Sequence, residues 1–219
     1  LNITEAVKKI KEFPKAKFDE TIEMNFQLGV DTKKTDQMIR GSVSLPFGTG
    51  KKVKVIVFCR GEEAREATAA GAEYVGAEEL IEKVNGGWFD FDVVVAHPDM
   101  MRDISKLGRV LGPRGLMPSP KVGTVTKDLG RAVTEIKKGR IDFKNDKNGG
   151  VHVPIGKVSF DADKIVENAR TVYKAILDLK PQSSKGAFVE SVSMSSTMGS
   201  GYRIDLSPLR QKTFLATAA

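Results

Sequence analysis

Three short segments hold the residue types that nucleic-acid recognition uses. They are "AKFDET" (16–21), "GKVSF" (156–160) and "SSTMGSG" (195–201). Lysine meets phosphate. A phenyl ring such as Phe18 or Phe160 stacks on a base or ribose, at roughly 1–3 kcal/mol per base. Serine and threonine hydroxyls and open glycine backbone can approach a 2′-hydroxyl, the group that separates RNA from DNA. Each segment also has a plainer alternative. Phe18 could be a core ring, and "STMGSG" could be a turn.

Catalytic patterns are scarce. His97 and His152 are the only histidines, and they fall in different domains of the reading below. There is no H-E-x-x-H, no paired-cysteine spacing and no G-x-S-x-G, so the expectation is no enzyme, no metal and no cofactor. The stretch "KLGRVLGPRGLMPSPKVGTV" (106–125) is rich in glycine, proline and basic residues. It lacks the G-x-x-x-x-G-K-[ST] of a phosphate loop and the G-x-G-x-x-G of a dinucleotide loop. Pro113, Pro118 and Pro120 also remove backbone N–H donors that such loops use. The stretch reads as a stiff exposed loop presenting Arg109, Arg114 and Lys121 outward. It is either a purely structural connection or a basic loop that touches RNA backbone. The single cysteine, Cys59 in "VKVIVFC", reads as a buried thiol, in keeping with a reducing compartment.

The totals fit this picture. The chain has 219 residues, 40% hydrophobic, and a net charge of +7. That allows one large domain or two small ones with real cores, and it favours an anionic partner. Acids crowd into 61–99 and bases into 102–140. No apolar run approaches the 18 or so residues that cross a bilayer. The opening "LNITEAVKKI" does not resemble a secretory signal, and the absence of a first Met leaves room for residues upstream.

The elements that must position these residues follow from periodicity. "NITEAVKKIKEF" spaces Ala6, Val7, Ile10 and Phe13 as one helical face. "ETIEMNFQLGV" alternates, with Ile22, Met24, Phe26 and Leu28 on one side of a half-buried strand. From about residue 50 the texture changes. The continuous apolar runs "VKVIVF" and "FDVVVAH" alternate with helical segments, the mark of a parallel sheet covered on both faces. Alternation returns at "GRIDFKNDKNGGVHVPI", where Asn148-Gly149 signals a hairpin. A long amphipathic helix and two more strands follow, and the tail after about 207 carries little signal. The expectation is a mixed α/β and α+β chain of two domains. A split two-layer α+β domain (1–48 and 140–219) would enclose an inserted Rossmann-like three-layer α/β domain (49–139). Two rival functions fit the same elements: a nucleotide-binding α/β enzyme using the edge of the inserted sheet, and a protein-binding module using the acidic face.

Several segments, in order, decide between them. "AKFDET", "DQMIRGSVSLPFGTGK", "GAEYVG", "KLGRVLGPRGLMPSPKVGTV", "GRIDFKND" and "STMG" resemble the large-subunit ribosomal protein family of the mobile stalk beside the exit-tRNA site, in its bacterial type. The resemblance runs over about 3–206. It implies a split domain that binds large-subunit ribosomal RNA, and a Rossmann-like insert. By matching motif, Lys17, Phe18, Thr21, Lys157, Ser159, Phe160, Ser195, Ser196, Thr197, Met198 and Gly199 would lie at the RNA surface. Family members often read Thr-Thr-Thr-Met-Gly-Pro where this chain has Ser195, Ser196 and, after Gly199, Ser200. Serine keeps the hydroxyl; the missing proline bears on local stiffness. The resemblance further implies help for deacylated tRNA leaving the exit site and repression of the protein's own operon through its mRNA. The implied setting is a cytoplasmic ribosome, with an organellar ribosome as the alternative. The protein would be a monomer within that particle, with no membrane partner.

Overall fold

A computed structural model describes residues 1–13, 16–61, 63–184 and 186–209. The chain divides into two compact units. The first is Leu1–Gly50 with the chain from Gly139 onward, and the second is Lys51–Lys138. The first unit opens with α1 (Ile3–Glu12), β1 (Thr21–Leu28) and β2 (Arg40–Ser44). The second supplies β3 (Val55–Phe58), α2 (Glu63–Ala69), β4 (Tyr74–Gly76), α3 (Glu78–Asn85) and β5 (Val93–Ala96). Two one-turn helices, α4 (Met101–Ile104) and α5 (Gly108–Leu111), and then α6 (Leu129–Lys137) complete it. The chain then returns to the first unit with β6 (Arg140–Lys144), β7 (Gly150–Lys157), α7 (Ala162–Asp178), β8 (Val189–Ser196), β9 (Tyr202–Ile204) and α8 (Leu206–Leu209).

The first unit is α+β. Its main sheet has the order β7-β1-β8-β9, antiparallel throughout. Alternation in β1 buries Ile22, Met24, Phe26 and Leu28 on one face. Val151, Val153, Ile155, Val192 and Met194 join them from the neighbouring strands. The helical faces of α1 (Ile3, Ala6, Val7, Ile10) and α7 (Ile165, Ala169, Val172, Ile176) complete the same core. A separate two-stranded ribbon pairs β2 with β6.

The turn at Asn148-Gly149 is tight, but it does not join a long hairpin. β6 pairs with β2 and β7 with β1, and the two segments share only the bridge Asn145↔Val151. Asp146 organises the turn. Its carboxylate accepts from the backbone N of Gly150 (2.6 Å) and Asn148 (2.8 Å), which holds it below the usual carboxylate range. Gly149 has φ 81, and a Cβ there would lie 2.7 Å from the carbonyl of Leu28. The turn is thus packed against the end of β1, and the flanking strands part to different sheets.

The chain leaves and re-enters the first unit at one place. Leu45 N donates to Gly139 O (3.2 Å). A Cβ on Gly139, whose φ is 107, would sit 2.3 Å from Gly48 Cα. Beneath them lies Asn168 of α7, fully buried. Its side chain accepts from Phe47 N (3.3 Å) and donates to Gly48 O (3.0 Å) and Ile155 O (2.8 Å).

The second unit is α/β, with a parallel sheet in the order β4-β3-β5. Val125 extends it by one parallel bridge to Ala96. Successive residues of β3 enter opposite clusters, as a strand covered on both faces requires. Ile56 and Phe58 pack with α3, α4 and α5, whereas Val55 and Val57 pack with α2 and α6. This is the doubly wound, Rossmann-like arrangement. Cys59 is buried at the end of β3, and burial pushes its thiol up to about 11.

Candidate nucleic-acid interface

Strand register brings three distant segments to one end of the main sheet. Thr21 at the start of β1 is opposite Lys157 at the end of β7, and Ile22 is opposite Ser196 at the end of β8. The loops that follow and precede these residues therefore meet. Thr21 N donates to Thr197 Oγ1 (3.2 Å), and Thr197 N donates back to Thr21 O (3.1 Å). Lys157 Nζ donates to Thr21 Oγ1 (2.8 Å) and Asp19 O (3.3 Å). Ser159 donates to the Asp19 carboxylate from both its N (3.2 Å) and its Oγ (2.8 Å).

On this scaffold stand two large apolar side chains in solvent. Phe18 is 56% exposed and Met198 is 71% exposed. Phe18 is therefore not a core ring. Phe18 and Met198 stand at the same sheet end as Lys17 and Lys157. Lys17 and Thr197 are exposed beside them, with Ser195 and Gly199 half-buried. Residues 197–199 do form a bend, closed by Gly199 N to Ser196 O (3.2 Å), so the turn reading and the surface reading hold together.

Two residues of the expected set point inward. Ser196 is only 6% exposed. Phe160 is half-buried, its ring packed over the backbone of Gly50 and Gly156 and against the core, while its carbonyl accepts from Lys11 Nζ. Both lie beneath the surface rather than on it.

Sequence reasoning missed the acid that holds the loops together. Glu20 is 4% exposed. Its Oε1 accepts from Ala16 N (3.0 Å) and its Oε2 from Met198 N (3.0 Å), and the Ser196 side chain bonds to it as well. These bonds, the one from Ala16 foremost, hold its carboxyl below the usual range. A glutamate ahead of a strand reads as a surface acid. The only available signal was the phase of β1, which puts Glu20 on the inward side with Ile22 and Met24. Asp19 was missed for the same reason.

The Gly/Pro stretch is less loop-like than expected. It begins as helical turns through Ser105–Leu107 and α5, and a further 3-10 turn spans Pro120–Val122. Arg109 is exposed. Arg114 is exposed too, but its guanidinium lies 3.7 Å over the Phe89 ring, a cation–π contact that ties it to its own unit. The side chain of Lys121 lies outside the described residues. Leu116 and Met117 pack on the same core as Trp88 and Phe89, which anchors the stretch.

His97 and His152 sit in different units. His97 Nε2 is 3.3 Å from Glu63, and His152 Nδ1 is 2.8 Å from Asn25 Oδ1. Among the described residues no three His, Cys, Asp or Glu side chains are grouped to hold a metal. Among them, too, no helix is long and apolar enough to cross a membrane.

A family model described as the ribosomal protein L1p/L10e family matches residues 10–200. The match takes in the whole second unit and most of the first, including every segment of the sheet end described above. The chain belongs to the ribosomal protein L1p/L10e family, whose members are structural, RNA-binding components of the large ribosomal subunit and not enzymes.

Proposed function

We propose that the end of the β7-β1-β8 sheet is the surface through which this protein binds large-subunit ribosomal RNA. One observation carries the reading. Three segments distant in sequence meet at one sheet end: the buried Glu20 carboxylate ties 16–21 to 196–198, Asp19 and Thr21 tie in 157–159, and Phe18 and Met198 stand exposed there. Lys17 and Lys157 supply charge for phosphates. Phe18 and Met198 supply apolar surface for a base or ribose, and Thr197 and Ser195 supply hydroxyls for a 2′-OH. Thr21, Ser159, Phe160, Ser196 and Gly199 set the backbone on which those groups stand. Most of the specificity then comes from the shape of the RNA fold, and the salt dependence from the lysines.

The family resemblance adds two finer roles. An operon mRNA that presents the same RNA shape would bind there in place of ribosomal RNA, which makes repression of the protein's own translation a competition for one site. Assistance to exit-site tRNA is assigned to the second unit, with Arg109 as an exposed cation of its Gly/Pro stretch. Arg114 is already engaged by Phe89.

Alanine replacement tests the assignment. Phe18→Ala and Met198→Ala should each weaken binding to a ribosomal RNA fragment by roughly 1–3 kcal/mol. Arg114→Ala should leave it unchanged. Equal losses from all three would overturn the reading.

A further inference from the structure

We infer that the outward face of the β2–β6 ribbon is a second contact for the backbone of large-subunit ribosomal RNA. The inference rests on the family's RNA binding and not on the assignment of the sheet end. The ribbon's register pairs Arg40 with Lys144, Ser42 with Asp142, and Ser44 with Arg140. Directly opposed residues share a face, and so do residues two apart, so these six form one face. The intervening residues fill the other. Val43 and Phe143 are buried, Ile141 packs on the core, and a Cβ on Gly41 would strike Leu179 and Phe143.

The outward face has a property that folding does not explain. Arg40 and Lys144 are exposed and directly opposite each other. Like charges at opposed positions destabilise a sheet. Neither residue enters an ion pair among the described residues. Asp142 is the one acid on the face, within electrostatic reach of Arg40 and Arg140. Arg140 also donates to Ser42 Oγ (2.9 Å). Three cations against one acid, with short serine side chains between them, suit a passing phosphodiester backbone. They give no means of reading a base.

The Arg40–Lys144 end of the strip is also apart from the sheet end, whereas its Arg140 end follows Gly139, which packs on Gly48. Asn145, next to Lys144, bridges Val151 at the start of β7, and Lys157 ends that strand. At about 3.3 Å per residue this puts some ~20 Å between the Arg40–Lys144 pair and Lys157. That is more than twice the Debye length of about 8 Å at physiological salt, so this pair and Lys157 act independently. A folded ribosomal RNA is wide enough to touch both.

The experiment compares full-length variants for binding to a large-subunit ribosomal RNA fragment across a salt series. Arg40→Gln/Lys144→Gln should reduce the slope of log K against log salt by about two, one phosphate for each cation. Arg65→Gln/Lys83→Gln, which removes the same charge from exposed positions of the second unit, should not. Asp142→Asn should tighten binding. An unchanged slope in the ribbon variant, or an equal fall in the comparator, overturns the inference. So does a ribbon variant that keeps its RNA slope yet fails to enter large subunits, because the partner is then a protein. Phe18→Ala, measured alongside, should lose affinity with its slope intact. It therefore reports on the sheet-end reading separately, and either can fail without the other.

Discussion

A buried glutamate beneath a surface proposed to meet phosphates needs a reason, and the reason is geometric. Glu20 bonds to Ala16 N and Met198 N, so it fixes the loops that carry Lys17, Phe18 and Met198. Its carboxyl is depressed in the fold, so it contributes stability at pH values above the ordinary 4.5. That contribution falls away as the pH drops below 4.5 toward the lower folded value. Denaturant unfolding at pH 7 and again at acid pH should show this loss in the wild type and a flatter profile in Glu20→Gln. Glu20→Gln keeps one acceptor and places an NH2 against a backbone N–H, so its RNA affinity should lie between those of wild type and Glu20→Ala. The salt slope should stay constant across all three, because no phosphate contact has been removed. A slope that drops with Glu20→Ala would mean the residue acts on the charges themselves. Cys59 gives a contrasting case. A thiol that is buried and pushed up to about 11 should resist alkylation at pH 8 in the folded protein and react on unfolding.

At the scale of elements, periodicity made much of the fold readable and pairing made little of it so. Alternation in β1, the helical spacing in α1 and α7, and the unbroken apolar runs of β3 and β5 each appear as a burial pattern in the structure. Partner choice depends on residues far apart in sequence, which local patterns do not encode. Hence Asn148-Gly149 announced a hairpin whose strands in fact go to different sheets. For the same reason the inward role of Glu20, and the packing of Arg114 on Phe89, could not be read from their neighbours. Asn168 is the clearest instance. In sequence it is one polar residue in an amphipathic helix, and in the fold it is fully buried and bonded to Phe47, Gly48 and Ile155. Asn168→Ala would leave those backbone groups unsatisfied and should cost about 2–4 kcal/mol of the first unit's stability. Gly139→Ala adds a methyl 2.3 Å from Gly48 Cα at a φ of 107, and should cost about 2 kcal/mol or more. Chemical denaturation of each variant checks both, and a wild-type midpoint for either would remove that residue from the account of how the crossing is held.

For the whole molecule, the decisive question is whether the first unit is a protein in its own right. Among the described residues, its core draws only on its own two segments, from Ile3 to Leu45 and from Phe143 to Ile204. The second unit has two clusters of its own, one on each face of its sheet. The chain ends that would have to be joined already touch, through the Leu45–Gly139 bond and the packing of Gly139 on Gly48. Closing so short a gap costs little conformational entropy. Replacing Lys51–Lys138 by a few glycine and serine residues should therefore leave a cooperatively folding chain with rRNA affinity within about tenfold of the full protein. That shortened chain retains both the sheet end and the β2–β6 strip, so its salt slope should equal that of the full chain as well. The isolated Lys51–Lys138 unit should fold on its own core yet fail to recognise ribosomal RNA. If the shortened chain folds but its salt slope is markedly lower, phosphates are being met by the second unit, and the division of labour between the units must be redrawn.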